Sequence, residues 1–294
     1  VSGARPCIFG EVLFDHFPDG RHVLGGAPFN VAWHLQAFGQ SPCLISRVGQ
    51  DAEGEAVRAA MQAWGMDTGA LQSDPQRPTG RVDVSFQAGE PTYDIVPHCA
   101  YDAIEPPPAL PDCRLFYHGS LALREVVSRE SAQRIVAGEP GLVFVDVNLR
   151  PPWWQQAQVL EWVRAADWVK LNADELALLA PRCAADDAGA RQFAADCGLA
   201  GLIVTRGASG AEIVTAGGEQ LCVQPTSQGE VVDTVGAGDA FAAVVILGLL
   251  REWPLQTTLQ RAVSFAARIV ERRGATVDDP LFYQPFVEAW QLAT

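Results

Sequence analysis

The sequence has little of what a nucleic-acid or membrane protein requires. Its 294 residues carry 21 Lys and Arg against 35 Asp and Glu, a formal net charge of −14. Phosphate backbones are gripped by clustered cations, so this balance argues against a nucleic-acid partner. The densest basic cluster, Arg268, Arg272 and Arg273, has helical spacing and reads as one solvated helix face. No apolar run approaches the ~20 residues of a membrane-spanning helix, the longest being Ala240 to Leu250. VSGARPCIFGE meets an acid at Glu11 before a signal-type apolar region forms, so no secretory leader is visible and a soluble, cytoplasmic protein is the expectation. The seven cysteines include no CxxC pair and no histidine at metal-ligand spacing, which points to reduced, packed thiols. There is no GxxxxGK[ST], and Phe241 follows Gly236-x-Gly238 where a dinucleotide loop wants Gly or Ala. Walker-type NTPases and Rossmann dehydrogenases are therefore disfavoured. Internal repeats and low-complexity tracts are missing too.

What is present is a large apolar complement, 48% of residues, enough to bury a core and exclude disorder. At ~150 residues per domain the length suggests two units, or one α/β body with an appendage. Continuous apolar runs at Cys7 to Phe9, Cys43 to Val48, Leu115 to His118, Leu142 to Val147, Trp168 to Leu171 and Leu202 to Thr205 read as buried strands. Helical patterns lie between them at Pro28 to Phe38, Ala52 to Trp64, Ser128 to Ala137, Trp153 to Ala165 and Ala190 to Cys197. This alternation predicts a mainly parallel sheet with helices on both faces. Two stretches break it. Arg81 to Gln87 alternates polar and apolar, then turns at Ala88 to Pro91 into Thr92 to Val96, while Glu11 to Gly26 holds two short strands around Pro18-Asp19-Gly20. Together, segments of about 11–26 and 79–104 predict a small antiparallel sheet inserted in two pieces into a single domain spanning 1–294.

The sharpest chemical feature is DTVGAGDAF from Asp233 to Phe241, leading into an apolar helix. Gly236 and Gly238 allow close approach of a ligand, and backbone N–H groups from Ala237 to Ala240 are candidate unpaired donors for an anion at the helix start. Asp239 lies in that first turn, where the helix dipole is expected to keep it ionised, ready to accept a hydroxyl proton. The same residues also read as a tight turn with an Asp cap. Gly207-Ala-Ser-Gly210, with Thr205 and Arg206 beside it, suits nucleotide phosphates at a strand end, or an ordinary hairpin pairing Ile203 with Ile213. Lys170-Leu-Asn-Ala-Asp-Glu175 places Asn172 three residues before Glu175, a capping pattern and also an amide and carboxylate able to hold hydrated Mg²⁺ or phosphate. Asp15 and Asn30 are short polar groups placed to bind hydroxyls or to satisfy turns. Asp146, Asn148 and Arg150 alternate at the end of a buried strand, where polar groups are costly without partners.

In this order these blocks resemble the PfkB, or ribokinase-like, family of sugar kinases: GE at Gly10 and Glu11, Asp15, GGAPFNVA from Gly25, GxDxxG from Gly49, DxNxR from Asp146, NxxE from Asn172, TRGxxG from Thr205 and DTVGAGDAF. The resemblance implies a ribokinase-like α/β fold with a β-sheet lid, ATP with Mg²⁺, and transfer of the γ-phosphoryl group to a primary sugar hydroxyl. By motif position it makes Asp239 the base and Gly236, Ala237 and Gly238 the anion hole. Asp15, Gly26, Asn30 and Arg150 fall to the sugar, and Lys170, Asn172, Thr205, Arg206, Gly207 and Gly210 to the nucleotide. It also gives Glu175 to Mg²⁺ through water and Asp233 to a monovalent cation, K⁺ in some members. Ala266-Ala267 departs from the Ala-Asn that many relatives carry near adenine. The blocks look most like bacterial fructokinases, with 2-keto-3-deoxygluconate kinases next. A nucleoside kinase would want aromatic groups such as Phe86 and Tyr93, and a non-catalytic sugar sensor is the non-enzyme alternative. The lid could also pair with a second subunit as a homodimer.

Overall fold

The computed structural model describes residues 5–87, 90–107, 112–181, 187–225 and 229–292. Thirteen strands appear in chain order: β1 (Arg5–Phe9), β2 (Leu13–His16), β3 (His22–Gly25), β4 (Cys43–Gly49), β5 (Leu71–Asp74), β6 (Gly80–Gln87), β7 (Glu90–Ile95), β8 (Cys113–His118), β9 (Val143–Asp146), β10 (Trp168–Asn172), β11 (Gly201–Thr205), β12 (Ala211–Thr215) and β13 (Gln220–Val223). Nine form one sheet in the order β13-β12-β11-β10-β9-β8-β1-β4-β5, and four form a second in the order β3-β2-β6-β7.

From β11 to β5 every neighbouring pair is parallel, which requires crossover connections and so places helices over both faces. The continuous apolar runs are the consequence. Along β1, Ile8 belongs to the core on one side of the sheet, whereas Cys7 and Phe9 belong to the core on the other. The helix Ala237–Leu250 is buried almost throughout, which explains why its sequence is apolar all round rather than on one stripe. It packs between the helices Ala27–Ala37 and Leu255–Ile269. Parallel strands also bring their carboxyl ends to one edge, where open α/β sheets bind ligands.

The small sheet corrects one expectation. Its two hairpins are antiparallel within themselves, but β2 and β6 run parallel, Leu13 opposite Gly80. Both strands leave the main sheet in the same direction, β2 after β1 and β6 after β5, so they meet side by side rather than head to tail. The expected turn at Ala88 and Gly89 lies outside the described residues, as does Cys183. The arginine cluster is also different from expectation. The helix ends at Ile269, so Arg272 and Arg273 lie beyond it, with Arg272 over the Phe282 ring at 4.6 Å. Strand β5, with its polar sequence LQSD, and the helix Pro280–Ala289 lack the continuous apolar signal and are seen only in the structure.

Candidate active site

The helix Ala237–Leu250 starts at Gly236, whose φ of 78° is left-handed. A side chain there would also meet Ala275, the ideal Cβ position lying 2.4 Å from its Cα. Two independent constraints thus require glycine. With Gly236 as the cap, the unpaired donors are the middle two of the four that the sequence suggests, Ala237 and Ala240 both being bonded. Ala240 N–H already bonds Gly236 O at 2.9 Å, and Ala237 N–H reaches Thr234 O at 3.3 Å. Among the described residues, the N–H groups of Gly238 and Asp239 find no backbone acceptor, and these two are the open anion donors.

Asp239 is the third residue of this helix. Its Oδ2 accepts a 2.7 Å bond from Asn30 Nδ2, projected from the first turn of the helix Ala27–Ala37. Burial pushes the Asp239 carboxyl up to about 6, Asn30, Lys170 and Arg150 opposing the rise and Asp146 adding to it. The carboxyl is still ionised near neutral pH, but desolvation makes it a stronger base than an exposed aspartate, suited to collecting a proton.

Asn30 is held where Gly26 caps its helix with φ of 110°, a Cβ there falling 2.6 Å from Glu11 O. The backbone of Gly10 to Val12 therefore lies directly against the helix start. Glu11 itself was read only as a motif letter, yet it is buried, its Oε2 has no hydrogen-bond partner, and burial pushes it up to about 7, with Arg150 and Arg124 opposing and Asp239 reinforcing. An acid inside the apolar run CIFGEVLF was the available signal. Asp15, on β2 of the small sheet, is likewise pushed up to about 6 by burial, with Arg150 opposing. Arg150, exposed beyond β9, therefore stabilises the charge of three carboxylates, Glu11, Asp15 and Asp239, and the four groups converge. The Tyr93 phenol on β7 is raised by partial burial and by Asp15 and Asp233, which places the small sheet across this cluster.

Glu11, Asp15 and Asp239 each bind a proton more tightly folded than unfolded. Folding is thus favoured at low pH, and this contribution is lost as pH rises from about 4 through about 7. For fully buried Glu11 the loss is on the order of 3 kcal/mol. Glu11→Gln is expected to be more stable than the parent at pH 8 and equal to it near pH 4 in urea unfolding. Equal stabilities at both values would show that Glu11 is solvated.

Lys170, on β10, occupies the other side of the helix start, its Nζ 3.4 Å from the position a Cβ on Gly238 would take. It pairs with Asp146 through 2.8 Å contacts to both carboxylate oxygens, and Tyr117 OH donates to Asp146 at 3.4 Å. Burial alone would lower the lysine, but Asp146 outweighs it and holds the ammonium above its ordinary value. A fixed cation thus flanks the open donors of Gly238 and Asp239.

Asn172 and Glu175 form a reciprocal capping box, Asn172 Oδ1 accepting from Glu175 N and Glu175 Oε2 from Asn172 N, both at 2.8 Å. Glu175 Oε1 accepts from Leu149 N at 2.7 Å, and burial raises this acid. The capping reading is thus realised. Gly207 and Gly210 lie in the β11–β12 turn, where Ile203 does oppose Ile213, and a Cβ on Gly210 would come within 1.9 Å of Val223 O. Arg206 pairs with buried Glu212, and Thr205 Oγ1 donates to Leu171 O at 3.5 Å. Asp233 accepts from Val235 N at 3.0 Å and Gly274 N at 3.1 Å, tying down the loop that enters the helix. A cavity of about 450 Å³ opens between β13 and the helix Leu255–Ile269, lined by Val223, Gln224, Gln256, Gln260, Ser264 and Ala267 among others. Its glutamines supply amide donors and acceptors beside Ala267.

The geometry agrees with the comparisons. The model of the pfkB family of carbohydrate kinases matches residues 9–281, and the chain belongs to that family. The aminoimidazole riboside kinase of Salmonella typhimurium is 30% identical over 289 residues, covering 91% of this chain and 89% of that protein. A fructokinase of Klebsiella pneumoniae is 30% identical over 260 residues, 82% of this chain and 83% of its own. Among solved structures, the fructokinase of Vibrio cholerae with fructose, ADP and calcium superposes with a TM-score of 0.79 at 28% identity, covering 94% of this chain and 96% of that one. No helix among the described residues is long and apolar enough to cross a membrane.

Proposed function

We propose that the chain transfers the γ-phosphoryl group of ATP to a primary hydroxyl of a monosaccharide, with fructose as the preferred acceptor. The observation that carries this reading is the helix start at Gly236. A half-buried base at Asp239, two open N–H donors and the Lys170 ammonium meet within one turn. The sugar oxygen attacks the γ-phosphorus, its proton passes to Asp239 Oδ, and the bond to the ADP oxygen breaks. Charge growing on the transferring group is met by Gly238 and Asp239 N–H and by Lys170, all fixed before the reaction. Asp15, Asn30, Gly26 and Arg150 surround the place where sugar hydroxyls would sit, and the small sheet acts as a lid whose exclusion of water strengthens these interactions.

The donor set suits Mg²⁺ held through water. Glu175 and Asn172 are hard oxygen ligands, but their oxygens already accept backbone N–H bonds, so a hydrated ion fits and a stripped one does not. Such an ion supplies charge neutralisation on the phosphates. Asp233 is the candidate for a monovalent-cation site, Thr205, Arg206, Gly207 and Gly210 for the nucleotide, and lid-to-lid pairing for a homodimer.

A second substrate reading, a riboside, is favoured by one observation. Tyr93 stands close enough to Asp15 to feel its charge and offers a ring on which a heterocyclic base could stack. ADP release measured across fructose, ribose, 2-keto-3-deoxygluconate, adenosine and aminoimidazole riboside separates the two, and fructose is expected to give the highest kcat/KM. A riboside leading by tenfold or more, with Tyr93→Ala abolishing the lead, would replace fructose. The pH profile is a further check. Because protonated Asp239 cannot accept a proton, kcat is expected to rise about tenfold per pH unit below about 6 and level off above it. A profile flat down to pH 4.5 would remove Asp239 as the base.

A further inference from the structure

Where the small sheet meets the main body, two histidines and a glutamate converge outside the candidate active site. His16 and His22 are cross-strand partners on β2 and β3, their rings stacked 3.8 Å apart and inclined by 16°. Glu53 reaches them from the first turn of the helix Ala52–Ala63. Its Oε1 lies 2.6 Å from His16 Nε2 and 3.0 Å from His22 Nδ1. The three ligand atoms all lie within 4.8 Å of one another.

Two imidazole nitrogens directed at one carboxylate oxygen form a nitrogen-rich donor set. We propose that His16, His22 and Glu53 bind a borderline divalent transition metal, Zn²⁺ being the type, with water completing the coordination. Imidazole nitrogen favours Zn²⁺ and its neighbours over Mg²⁺ and Ca²⁺, which take oxygen ligands, so the site is chemically separate from the nucleotide's cation. Bonds of ~2.0–2.1 Å to each ligand require the nitrogens and the oxygen to open by a few tenths of an ångström from their present hydrogen-bonded spacing. His22, with 48% of its side chain exposed, and Glu53, with 24%, have room to do so.

Such a bond joins the β2–β3 hairpin to the main body. Asp51, which caps the same helix, also holds the start of β6 through Thr79 N and Oγ1 at 2.8 and 2.6 Å. The junction would then be pinned at both β2 and β6. Asp15 is the residue before His16 and faces the opposite side of the strand, so a metal at His16 fixes the strand that carries Asp15.

The test is titration of the full chain with Co²⁺ in metal-free buffer without nucleotide. One equivalent is expected to bind with visible absorption typical of nitrogen and oxygen ligands, and Zn²⁺ should displace it. His22→Ala and Glu53→Gln should each weaken binding at least tenfold and abolish the rise in Tm that Zn²⁺ gives the parent, while turnover with Mg²⁺ in buffer free of transition metals stays unchanged. Co²⁺ binding that is unaltered in both variants, or that shows strong near-ultraviolet thiolate bands, would assign the metal elsewhere and overturn the proposal. No saturable binding below about millimolar Co²⁺ would show a hydrogen-bonded triad only and overturn it too.

Discussion

Asp239→Ala is expected to lower kcat by roughly 10²–10⁴-fold while the sugar KM changes by less than about threefold. The carboxylate is half-buried at the third position of its helix and receives a 2.7 Å bond from Asn30, so on the proposed mechanism its loss removes the proton acceptor without removing the hydroxyl-binding groups around it. Burial and the neighbouring Asp146 carboxylate raise its affinity for protons to about 6, so near neutral pH it is ionised yet basic. Asn30→Ala should act differently. It removes the bond that orients Asp239 and holds its proton affinity down, so kcat should fall less and the acid limb of the pH profile should move upward. A large rise in KM with kcat unchanged for Asp239→Ala would mean that the residue binds sugar and another group takes the proton.

Lys170→Met is expected to destabilise the fold by about 3–5 kcal/mol, because it leaves Asp146 buried without its counter-charge. The pair is bidentate at 2.8 Å between β9 and β10, and the only other side-chain donor to Asp146 among the described residues is Tyr117 at 3.4 Å. Removing both charges together, as Lys170→Met with Asp146→Leu, should recover most of that loss, since two apolar side chains carry no desolvation penalty. Urea unfolding of the two single variants and the double variant measures the coupling. A single variant within about 1 kcal/mol of the parent would show that water reaches the pair. The double variant separates stability from function: it should fold and yet turn over slowly, because the fixed cation beside Gly238 is gone.

The parts of this molecule that were legible in the sequence are those specified by local physics. Strands buried on both faces read as unbroken apolar runs because nothing else tolerates that position, and Gly236 announced a special turn because its left-handed φ and its contact with Ala275 both forbid a side chain. The pairing of Lys170 with Asp146 was not legible, although Asp146 drew attention as a polar group at the end of an apolar strand and Lys170 as the start of the block that runs to Glu175. Which strands become neighbours, and in what register, is settled by the crossovers rather than by either strand. The same holds for β2 beside β6, and for His16, His22 and Glu53, which share no sequence spacing that marks them as a group. Glu11 shows a different limit: its identity was plain, but its raised proton affinity comes from burial, reinforced by Asp239 and opposed by Arg150, both more than a hundred positions away.

Phosphorus NMR of the complete reaction tests the central claim most directly. With ATP, Mg²⁺ and fructose, the protein should produce ADP and a sugar phosphomonoester in equal amounts, and Asp239→Asn should bind both ligands while forming neither product at a comparable rate. Wild-type protein that binds ATP and sugar yet yields no phosphomonoester, or that releases the phosphoryl group only as inorganic phosphate, would contradict it.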